Sequence, residues 1–428
     1  MSDNTANEDK GYLSISRPRA WFMWFLGASF YFYQFFLQVS VGHLKPELSQ
    51  AFNVNAEQFG SVMACFLYVY GVMQIPVGLL VDRFGPRRLL TVAVIFCALG
   101  SYMFSIADHL WAAYMARVFM GLGASFAVVC TLSISSMWFS SKRFALLVGL
   151  MVTVGMLGAA FASEKIASLV ETYPWRDVFA YTAYVGIILA VMTYAFLRDR
   201  DISDRKRNDL EKNAGLIEGF KYIIGHKQIW LISIYAGLMY LPIASFGELW
   251  SGPFLTDGHG LDRDTAGSIT KFIFIGFAVG GPLYGYVSDT VKRRNLPMYF
   301  AAITTMLALL GVIYSEPNIL LLKVLWFAVG FFCSGFIVGL AAIRESTPII
   351  VASTAIGFFN IINTLGGAIL QPIIGSILDS QGGSLTNTGE KIFSLLEYQK
   401  VLVLLPAFLI VSFIILMFVK ETHCKQQA

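Results

Sequence analysis

The sequence predicts an all-α integral membrane protein with twelve transmembrane helices, built as two related bundles of six. Three observations predict this fold. The composition is far more apolar than that of soluble proteins, the apolar residues fall into twelve long runs, and a short basic motif recurs in the second half of the chain. Both termini are expected on the cytoplasmic side.

The composition indicates an integral membrane protein. Hydrophobic residues make up 56% of it and charged residues 14%, with a mean hydropathy of +0.65, whereas charged residues make up about 25% of a typical soluble domain. Roughly 20 apolar residues cross a bilayer. Runs of about this size occupy residues 20–42, 59–81, 89–107, 110–136, 145–163, 178–197, 229–250, 265–287, 297–314, 319–341, 349–378 and 401–419.

The basic residues predict the orientation, because cytoplasmic loops retain Lys and Arg. Of the 31 Lys and Arg residues, 22 lie in the segments on the side of the termini and 6 in the opposite loops. The formal net charge of +4 reflects this topology, and no nucleic-acid partner is expected. The predicted units are a cytoplasmic N-tail 1–19, a bundle 20–197, a linker 198–228, a second bundle 229–419 and a cytoplasmic C-tail 420–428.

The linker has two parts. Charged residues crowd its first ten positions. Its second part predicts a helix that lies in the membrane interface, because its apolar residues recur at helical spacing. These residues are Leu216, Ile217, Phe220, Ile223 and Ile224. A passive tether is favoured over a partner-binding role.

Cysteine and histidine usage argues against a metal or cofactor site. The five cysteines include no Cys-x-x-Cys pair, and the five histidines are scattered through loops and tails. Neither a disulfide framework nor a zinc site is therefore predicted. Residues 1–17 also lack the apolar core of a secretory signal peptide.

The basic motif is repeated at a fixed displacement. In the first half it follows the second apolar run, and in the second half it follows the eighth. The matched pairs, each displaced by 207 residues, are Gly78 with Gly285, Asp82 with Asp289, Arg87 with Arg294 and Gly60 with Gly267. A fixed displacement of nearly half the chain predicts a duplicated unit.

Polar residues inside the runs are candidates for function. Tyr31, Gln34 and Gln38 are spaced three and four apart and share a helical face, which predicts either a cavity lining or interhelical hydrogen bonds. Arg117 lies about two turns inside its run. An intramembrane charge usually faces a bundle interior or a watery cavity, and the alternative is a structural donor to backbone carbonyls.

The second half offers Tyr235, Tyr240 and Glu248 in the seventh run and one lysine in each of the eighth and tenth. Lys323 lies within about one turn of the position that matches Arg117. For Lys271 and Lys323, snorkelling of a long side chain to the interface is the alternative to a substrate contact. Glu248 and Lys271 are candidates for ion coupling or for the outer vestibule.

Three motifs resemble those of the major facilitator superfamily, and the resemblance covers essentially the whole chain. The most specific is the loop after the second run, Gly78-x-x-x-Asp82-Arg83-x-Gly85-x-Arg87-Arg88. The others are Arg117-x-x-x-Gly121-x-Gly123 in the fourth run and Trp175-Arg176-x-x-Phe179 before the sixth. The resemblance implies a secondary transporter whose two six-helix halves rock around a midplane site.

The resemblance also assigns roles to residues. It directs attention to helices 1, 4, 7 and 10 as the cavity lining, and so to Tyr31, Gln34, Gln38, Arg117, Tyr235, Tyr240 and Lys323. It implies that the repeated motif is a conformational latch that holds the cytoplasmic side closed. The latch residues are Gly78, Asp82, Arg83, Arg87, Gly285, Asp289 and Arg294. A purely topogenic cluster of charge explains the arginines but not the glycines or Asp82.

The expected cargo is a small organic anion or zwitterion, such as a carboxylate metabolite, an amino acid or short peptide, or a carboxylate siderophore. Cations outnumber anions among the cavity candidates, and cationic side chains bind carboxylates through charge-assisted hydrogen bonds. The fifth run lacks the Gly-Pro pair that drug antiporters of the family commonly carry, which disfavours drug export. A proton or another coupling ion remains open, as does facilitated diffusion.

Two further classes are alternatives. An intramembrane enzyme is disfavoured, because the sequence has no His-Glu-x-x-His and no Gly-x-Ser-x-Gly motif. A transporter-like membrane sensor is the second, although the linker and tails resemble no signalling domain. The expected setting is the bacterial inner membrane, where the protein contacts the lipid bilayer as a monomer and binds a small-molecule substrate.

The latch hypothesis predicts that Asp82→Asn reduces transport while leaving membrane insertion normal. Removing the carboxylate charge weakens the contacts that this residue makes at an inner helix terminus. Uptake into reconstituted vesicles measures the effect, and unchanged uptake would contradict the hypothesis.

Overall fold

The structure is a computed structural model that describes residues 17–199, 216–316, 318–348, 351–386 and 391–426. In these ranges the chain forms twelve long helical segments, namely α1 Arg17–Ser40, α2 Ala56–Phe84, α3 Pro86–Ser105, α4 Leu110–Trp138, α5 Ser141–Thr172, α6 Trp175–Phe196, α7 Lys227–Gly258, α8 Arg263–Val291, α9 Asn295–Tyr314, α10 Ile319–Glu345, α11 Ala352–Gln381 and α12 Leu395–Leu416. Shorter elements are a 3₁₀ turn Val41–His43, the helices Lys45–Phe52 and Leu216–Gly225, and the antiparallel pair β1 Ser384–Leu385 and β2 Lys391–Ile392.

Ten of the described helices, α3 to α12, are long and apolar enough to cross a membrane. The remaining two long helices, α1 and α2, have 24 and 29 residues, and about 20 residues suffice to span a bilayer. Each of the twelve lies on one of the apolar runs. The arrangement is therefore consistent with twelve spans and with termini on one side.

The duplicated unit is visible in the backbone. Helices α2 and α8 both contain 29 residues and begin 207 positions apart. Their N-terminal caps match as well. The Asn55 Oδ1 accepts a hydrogen bond from the Gln58 amide at 2.8 Å, and the Asp262 Oδ1 accepts one from the Thr265 amide at 2.8 Å.

Positive φ angles recur at the same displacement. Asn53 and Gly260 have φ of +53° and +67°, and Gly85 and Lys292 have +79° and +54°. Asn53, Gly85 and Lys292 each end a helix, and Gly260 lies in the turn between α7 and α8. Residues other than glycine rarely adopt such angles. The repeat is therefore conserved in its turns as well as in its motif.

The fourth helices of the two halves match with a displacement of 209. In α4 a regular stretch of 15 residues ends at Ala124, and in α10 a stretch of 15 residues ends at Cys333. A break follows at Ser125 and at Ser334. This alignment places Trp326, and not Lys323, at the position that Arg117 occupies in the first half.

The two halves pack tightly at the face opposite the start of α1 and the end of α12, here called the outer face after the predicted orientation. A Cβ added to Gly60 of α2 would lie 2.6 Å from the Gln371 carbonyl oxygen of α11. A Cβ on Gly267 of α8 would lie 2.4 Å from the Ser163 carbonyl oxygen of α5. The Glu57 amide donates a 2.9 Å hydrogen bond to Asp379 across the same junction.

Among the described residues, the glycines at the inner ends of the same four helices make no such close contacts. Within the described part of the chain, a Cβ added to Gly78, Gly149, Gly285 or Gly357 would meet no atom within 4 Å. These glycines lie near the inner ends of α2, α5, α8 and α11. With the predicted orientation, the closest glycine contacts between the halves therefore lie at the outer face.

The linker helix forms where the amphipathic pattern predicts it. Ile223 is fully buried, whereas Ile224 is 67% exposed. The charged first part of the linker, from residue 200 to residue 215, lies outside the described residues.

Gly267→Ala should destabilise the protein, because the new methyl group meets the Ser163 carbonyl across the closed outer junction. Overpacking of this kind costs about 1–3 kcal/mol. We expect the apparent melting temperature in detergent to fall by several degrees. The matched control is Gly149→Ala, also inside a helix but in open space, which should leave the melting temperature unchanged or raise it. Equal effects of the two variants would contradict the closed outer junction.

Candidate functional site

A chain of buried polar side chains joins the two halves. The Gln34 Nε2 donates to the Gln38 Oε1 at 2.6 Å, and the Gln38 Nε2 donates to the Glu248 Oε1 at 2.8 Å. Gln34 and Gln38 lie on α1 of the first half and Glu248 on α7 of the second. All three are buried, with Glu248 only 1% exposed. The polar face of the first helix therefore points into the junction between the halves.

Glu248 lies deeper than the sequence suggests. The apolar run predicts a helix end near residue 250, but α7 continues to Gly258, so more than two turns separate Glu248 from the outer end. The helix is π-helical from Pro242 to Trp250, and such distortions are frequent at functional sites. A Cβ on Gly42 would lie 2.2 Å from the Glu248 carbonyl oxygen, which shows how closely the halves meet here.

Arg117 is fully buried and binds backbone carbonyls. Its Nη1 donates to the Leu37 carbonyl at 2.9 Å, its Nη2 to the Gln38 carbonyl at 3.2 Å, and its Nε to the Val62 carbonyl at 3.3 Å. The guanidinium carbon also lies 4.7 Å from the centre of the Phe66 ring. In this conformation the guanidinium braces α1 and α2, as the structural alternative describes.

The matching position in the second half carries an indole. The Trp326 Nε1 donates to the Ser251 Oγ at 2.7 Å, and Trp326 is fully buried. Each residue thus ties its helix to the first helix of its own half. The 207-residue displacement alone does not identify this tryptophan as the counterpart of Arg117, because the displacement changes to 209 between the second and fourth helices.

Two of the three tyrosines lie between the halves. The Tyr31 ring packs edge-on against Phe35, with centroids 5.0 Å apart, and Tyr240 packs against Phe336 at 5.2 Å. Tyr31, Tyr240 and Tyr70 of α2 are close enough to interact electrostatically. Tyr235 points elsewhere, because its hydroxyl donates to the Met298 carbonyl of α9 at 3.1 Å and the residue is fully buried.

The two lysines gather at the outer ends of α8 and α10. The Lys271 Nζ lies 2.9 Å from the Glu164 Oε1 of α5. The Lys271 and Lys323 ammonium groups lie 5.8 Å and 5.9 Å from the centre of the Phe272 ring. Lys271 and Lys323 therefore form a cluster at the outer ends of these helices, here called the outer cationic cluster. Lys323 does not lie at the depth of Arg117.

A layer of ion pairs closes the outer face above Glu248. Lys45 pairs with Asp257, and both side chains are at most 8% exposed. Arg263 donates to both carboxylate oxygens of Glu47, at 2.5 Å and 3.0 Å, and to the His43 carbonyl at 2.6 Å. We call these residues the outer layer. Sequence reasoning missed it, since its partners are more than 200 residues apart.

His43 is part of the outer layer. Burial, together with the charge of Arg263, lowers the pKa of the imidazole to about 4. It lines a cavity of about 360 Å³ with Lys45, Asp257 and Arg263. A neutral imidazole therefore lies beside two cations, where a second proton would be repelled.

The first-half motif contacts its own half. The Arg87 Nη2 donates to the Tyr194 carbonyl of α6 at 2.8 Å, and its backbone amide donates to the Asp199 Oδ1 at 2.9 Å. The Arg83 guanidinium lies over the ring of its neighbour Phe84 at 5.4 Å. The Asp82 side chain lies outside what the structure describes. Gly78 faces open space within the described chain.

The second-half motif forms a denser network. The Arg294 Nη1 lies 2.7 Å from the Asp289 Oδ1, and its Nη2 lies 2.6 Å from the Glu345 Oε1 at the end of α10. The Glu421 carboxylate accepts from the backbone amides of Arg294 and Asn295 at 2.7 Å and 2.9 Å. Partial burial lowers the pKa of Arg294, but the bonds to Glu345 and Asp289 have the larger effect, so the pKa is raised overall. Gly285 faces open space, as Gly78 does.

Comparison with known families agrees with this architecture. The family model described as Major Facilitator Superfamily matches residues 23–252 and 249–427. The chain belongs to the major facilitator superfamily. This superfamily protein is a multi-pass membrane transporter rather than an enzyme, and its cargo is a small molecule.

The relatives of this superfamily member include transporters of organic solutes and a membrane sensor. A D-galactonate transporter of Escherichia coli O6:H1 is 23% identical over 81% of this chain and 85% of its own length. A lysosomal dipeptide transporter of Danio rerio is 26% identical over 84% of this chain and 80% of its own. The membrane sensor protein UhpC of Escherichia coli K12 is 24% identical over 81% and 83%.

A solved structure supports the fold. A bacterial homologue of the human lysosomal transporter Spinster, in an inward-facing and occupied conformation, superposes with a TM-score of 0.77. The alignment covers 95% of this chain and 97% of that one at 14% identity. The likeness confirms the two-bundle fold expected from the sequence.

Arg117→Lys should lower the stability of the protein without any ligand, because one ammonium group cannot reach three carbonyls on two helices. Hydrogen bonds to charged groups contribute about 1.5–3 kcal/mol each. We expect the apparent melting temperature to fall by several degrees. Lys271→Met, which removes a partly exposed charge, should change it little. An unchanged melting temperature for Arg117→Lys would contradict the bracing role.

Proposed function

We propose that this protein carries a small organic solute with a carboxylate group across the bacterial inner membrane, by alternating access of its two halves. The cargo is a carboxylate metabolite, an amino acid or short peptide, or a carboxylate siderophore. The protein acts as a monomer in this proposal. The alternating movement requires that the latch residues at the inner face meet when the outer face opens.

The geometry of the two faces supports alternating access. Glycines bring α2 against α11 and α5 against α8 at the outer face, whereas the glycines at the inner ends of these helices make no such contacts within the described chain. Rocking each bundle as a rigid body would open the first set of contacts and close the second. Gly78 and Gly285, which now face open space, would then supply the room for a close approach.

The outer cationic cluster supports a cargo that carries an anionic group. Glu164 neutralises Lys271, so Lys323 leaves one positive charge in excess among these three residues. Such a charge attracts carboxylates to the outer vestibule and raises their association rate. The polar and aromatic groups between the halves, including Tyr31, Gln34 and Tyr240, suit an organic solute.

The names of the relatives support the same class. D-Galactonate and a dipeptide are unlike in shape, yet both carry a carboxylate. The sensor alternative is also supported by a relative, since UhpC covers a similar share of the chain. Solute flux separates the two, because a sensor binds its ligand without releasing it on the other side.

Uptake into proteoliposomes tests the proposal. We expect D-galactonate, or a dipeptide, to be taken up by the wild-type protein, whereas the matched neutral polyol galactitol should not be. Lys323→Gln should raise the KM for the carboxylate solute by about tenfold, the equivalent of roughly 1.4 kcal/mol. Lys400→Gln, which removes an exposed positive charge away from Glu164, serves as a control of equal charge.

Three results would contradict the proposal. Uptake of galactitol alone would exclude a carboxylate-binding site. Binding of D-galactonate without flux would favour the sensor. Equal effects of Lys323→Gln and Lys400→Gln would exclude a specific role for Lys323.

A further inference from the structure

Glu248 has one carboxylate oxygen with a partner and one without. Its Oε1 accepts from Gln38, whereas its Oε2 is buried and has no hydrogen-bond partner among the described residues. The residue is 1% exposed. An ionised carboxylate that is buried with an unpaired oxygen costs several kcal/mol, and a proton on that oxygen removes the charge, which is the largest part of this cost.

The hydrogen-bond donor to this carboxyl and the closest packing against the Glu248 backbone both come from the other half of the molecule. Gln38 is its hydrogen-bond donor, and Gly42 packs against its backbone carbonyl. When the outer face opens, both must withdraw with α1. Opening therefore exposes Glu248 to water, where the ionised form is well solvated, and closing buries it again.

We propose that Glu248 binds the coupling proton and that the outer face closes stably only when this carboxyl is protonated. This deepens the proposed function by naming its coupling ion. In the cycle, the carboxylate takes a proton from the outer solution while the outer face is open. The halves close over the neutral carboxyl, and the proton leaves to the inner side before the protein returns.

Other ionisable groups also face this site. Tyr70 of α2, Tyr240 of α7 and Arg117 of α4 interact electrostatically with Glu248. Arg117 already donates to three carbonyls, so it does not bind the Glu248 carboxylate. The tyrosines can be replaced by phenylalanine to test their contribution separately.

The proton is favoured over a metal cation by the shape of the site. Among the described residues Glu248 is the only Asp or Glu that is fully buried, and no group of three or more His, Cys, Asp or Glu residues there could hold a metal ion. A proton needs one oxygen, whereas a cation such as sodium needs a shell of oxygens. The amide of Gln38 already directs a donor at one side of the carboxyl.

A conformational assay without substrate tests the proposal. The five native cysteines are replaced, and Ala167→Cys, which lies in the outer cavity, reports opening through its reaction with a membrane-impermeant maleimide. Rates are normalised at each pH to those of the denatured protein. From about pH 5 to about pH 9, a range in which buried carboxyls can titrate, we expect labelling in the wild-type background to rise at least tenfold.

The variants give the decisive comparison. Glu248→Gln keeps the bond from Gln38 but cannot ionise, so we expect low labelling at every pH. Glu248→Asp, Tyr70→Phe and Tyr240→Phe should each keep the rise with pH. A wild-type rise that persists in Glu248→Gln, or a wild type that responds to sodium and not to pH, would overturn the proposal.

This test is independent of the choice of solute. A failed uptake panel would leave the labelling result intact, and a flat labelling profile would leave the carboxylate solute class intact. Thermal unfolding of Glu248→Gln checks that the variant is folded, and the Glu248→Asp variant provides a second reading if it is not.

Discussion

The hydrogen bond from Gln38 to Glu248 connects the two halves at a depth where both side chains are removed from water. Burying such groups is favourable only while they have partners. Parting the halves at this level therefore exchanges a protein hydrogen bond for hydration. The rest of the outer face follows the same rule, since Lys45, Arg263 and Lys271 each find a carboxylate on another helix. The closed outer face is thus held by polar pairs that water can replace.

The duplication explains why the two halves share the same helices and turns. The halves differ at individual buried positions. Caps and turns of α2 and α8 match residue for residue, because both halves need the same reversal of the chain at the same place. Arg117 and Trp326 occupy equivalent positions but brace their helices differently, through a guanidinium on carbonyls and through an indole on a hydroxyl. The first half is therefore polar at this level and the second aromatic.

Much of the fold could be predicted from the sequence. The apolar runs predict the helices, and the 207-residue displacement predicts the two related bundles, since both patterns are visible along the chain. The pairs Lys45–Asp257 and Arg263–Glu47 could not be predicted, because loop charges give no sign of a partner in the other half. The depth of Glu248 was also mispredicted, because the continuation of α7 from Ser251 to Gly258 contains Asp257 and two glycines, residues that are typical of a loop.

The structure brings some of the predicted site residues together and separates others. The face that carries Gln34 and Gln38 points into the junction between the halves. Tyr235 lies against α9, and Lys323 lies at an outer helix end. Sequence spacing identifies a face of a helix but not the neighbour that covers it, which depends on how far the halves are tilted.

The most direct test of alternating access is a pair of distances in one sample. Spin labels at positions 171 and 396 report the outer face, and labels at 88 and 296 report the inner face, all at exposed sites. Pulsed electron spin resonance in lipid nanodiscs should find two populations. The outer distance should lengthen as the inner one shortens when the pH is raised or the cargo is added. Distances that stay fixed, or that lengthen together, would contradict the account.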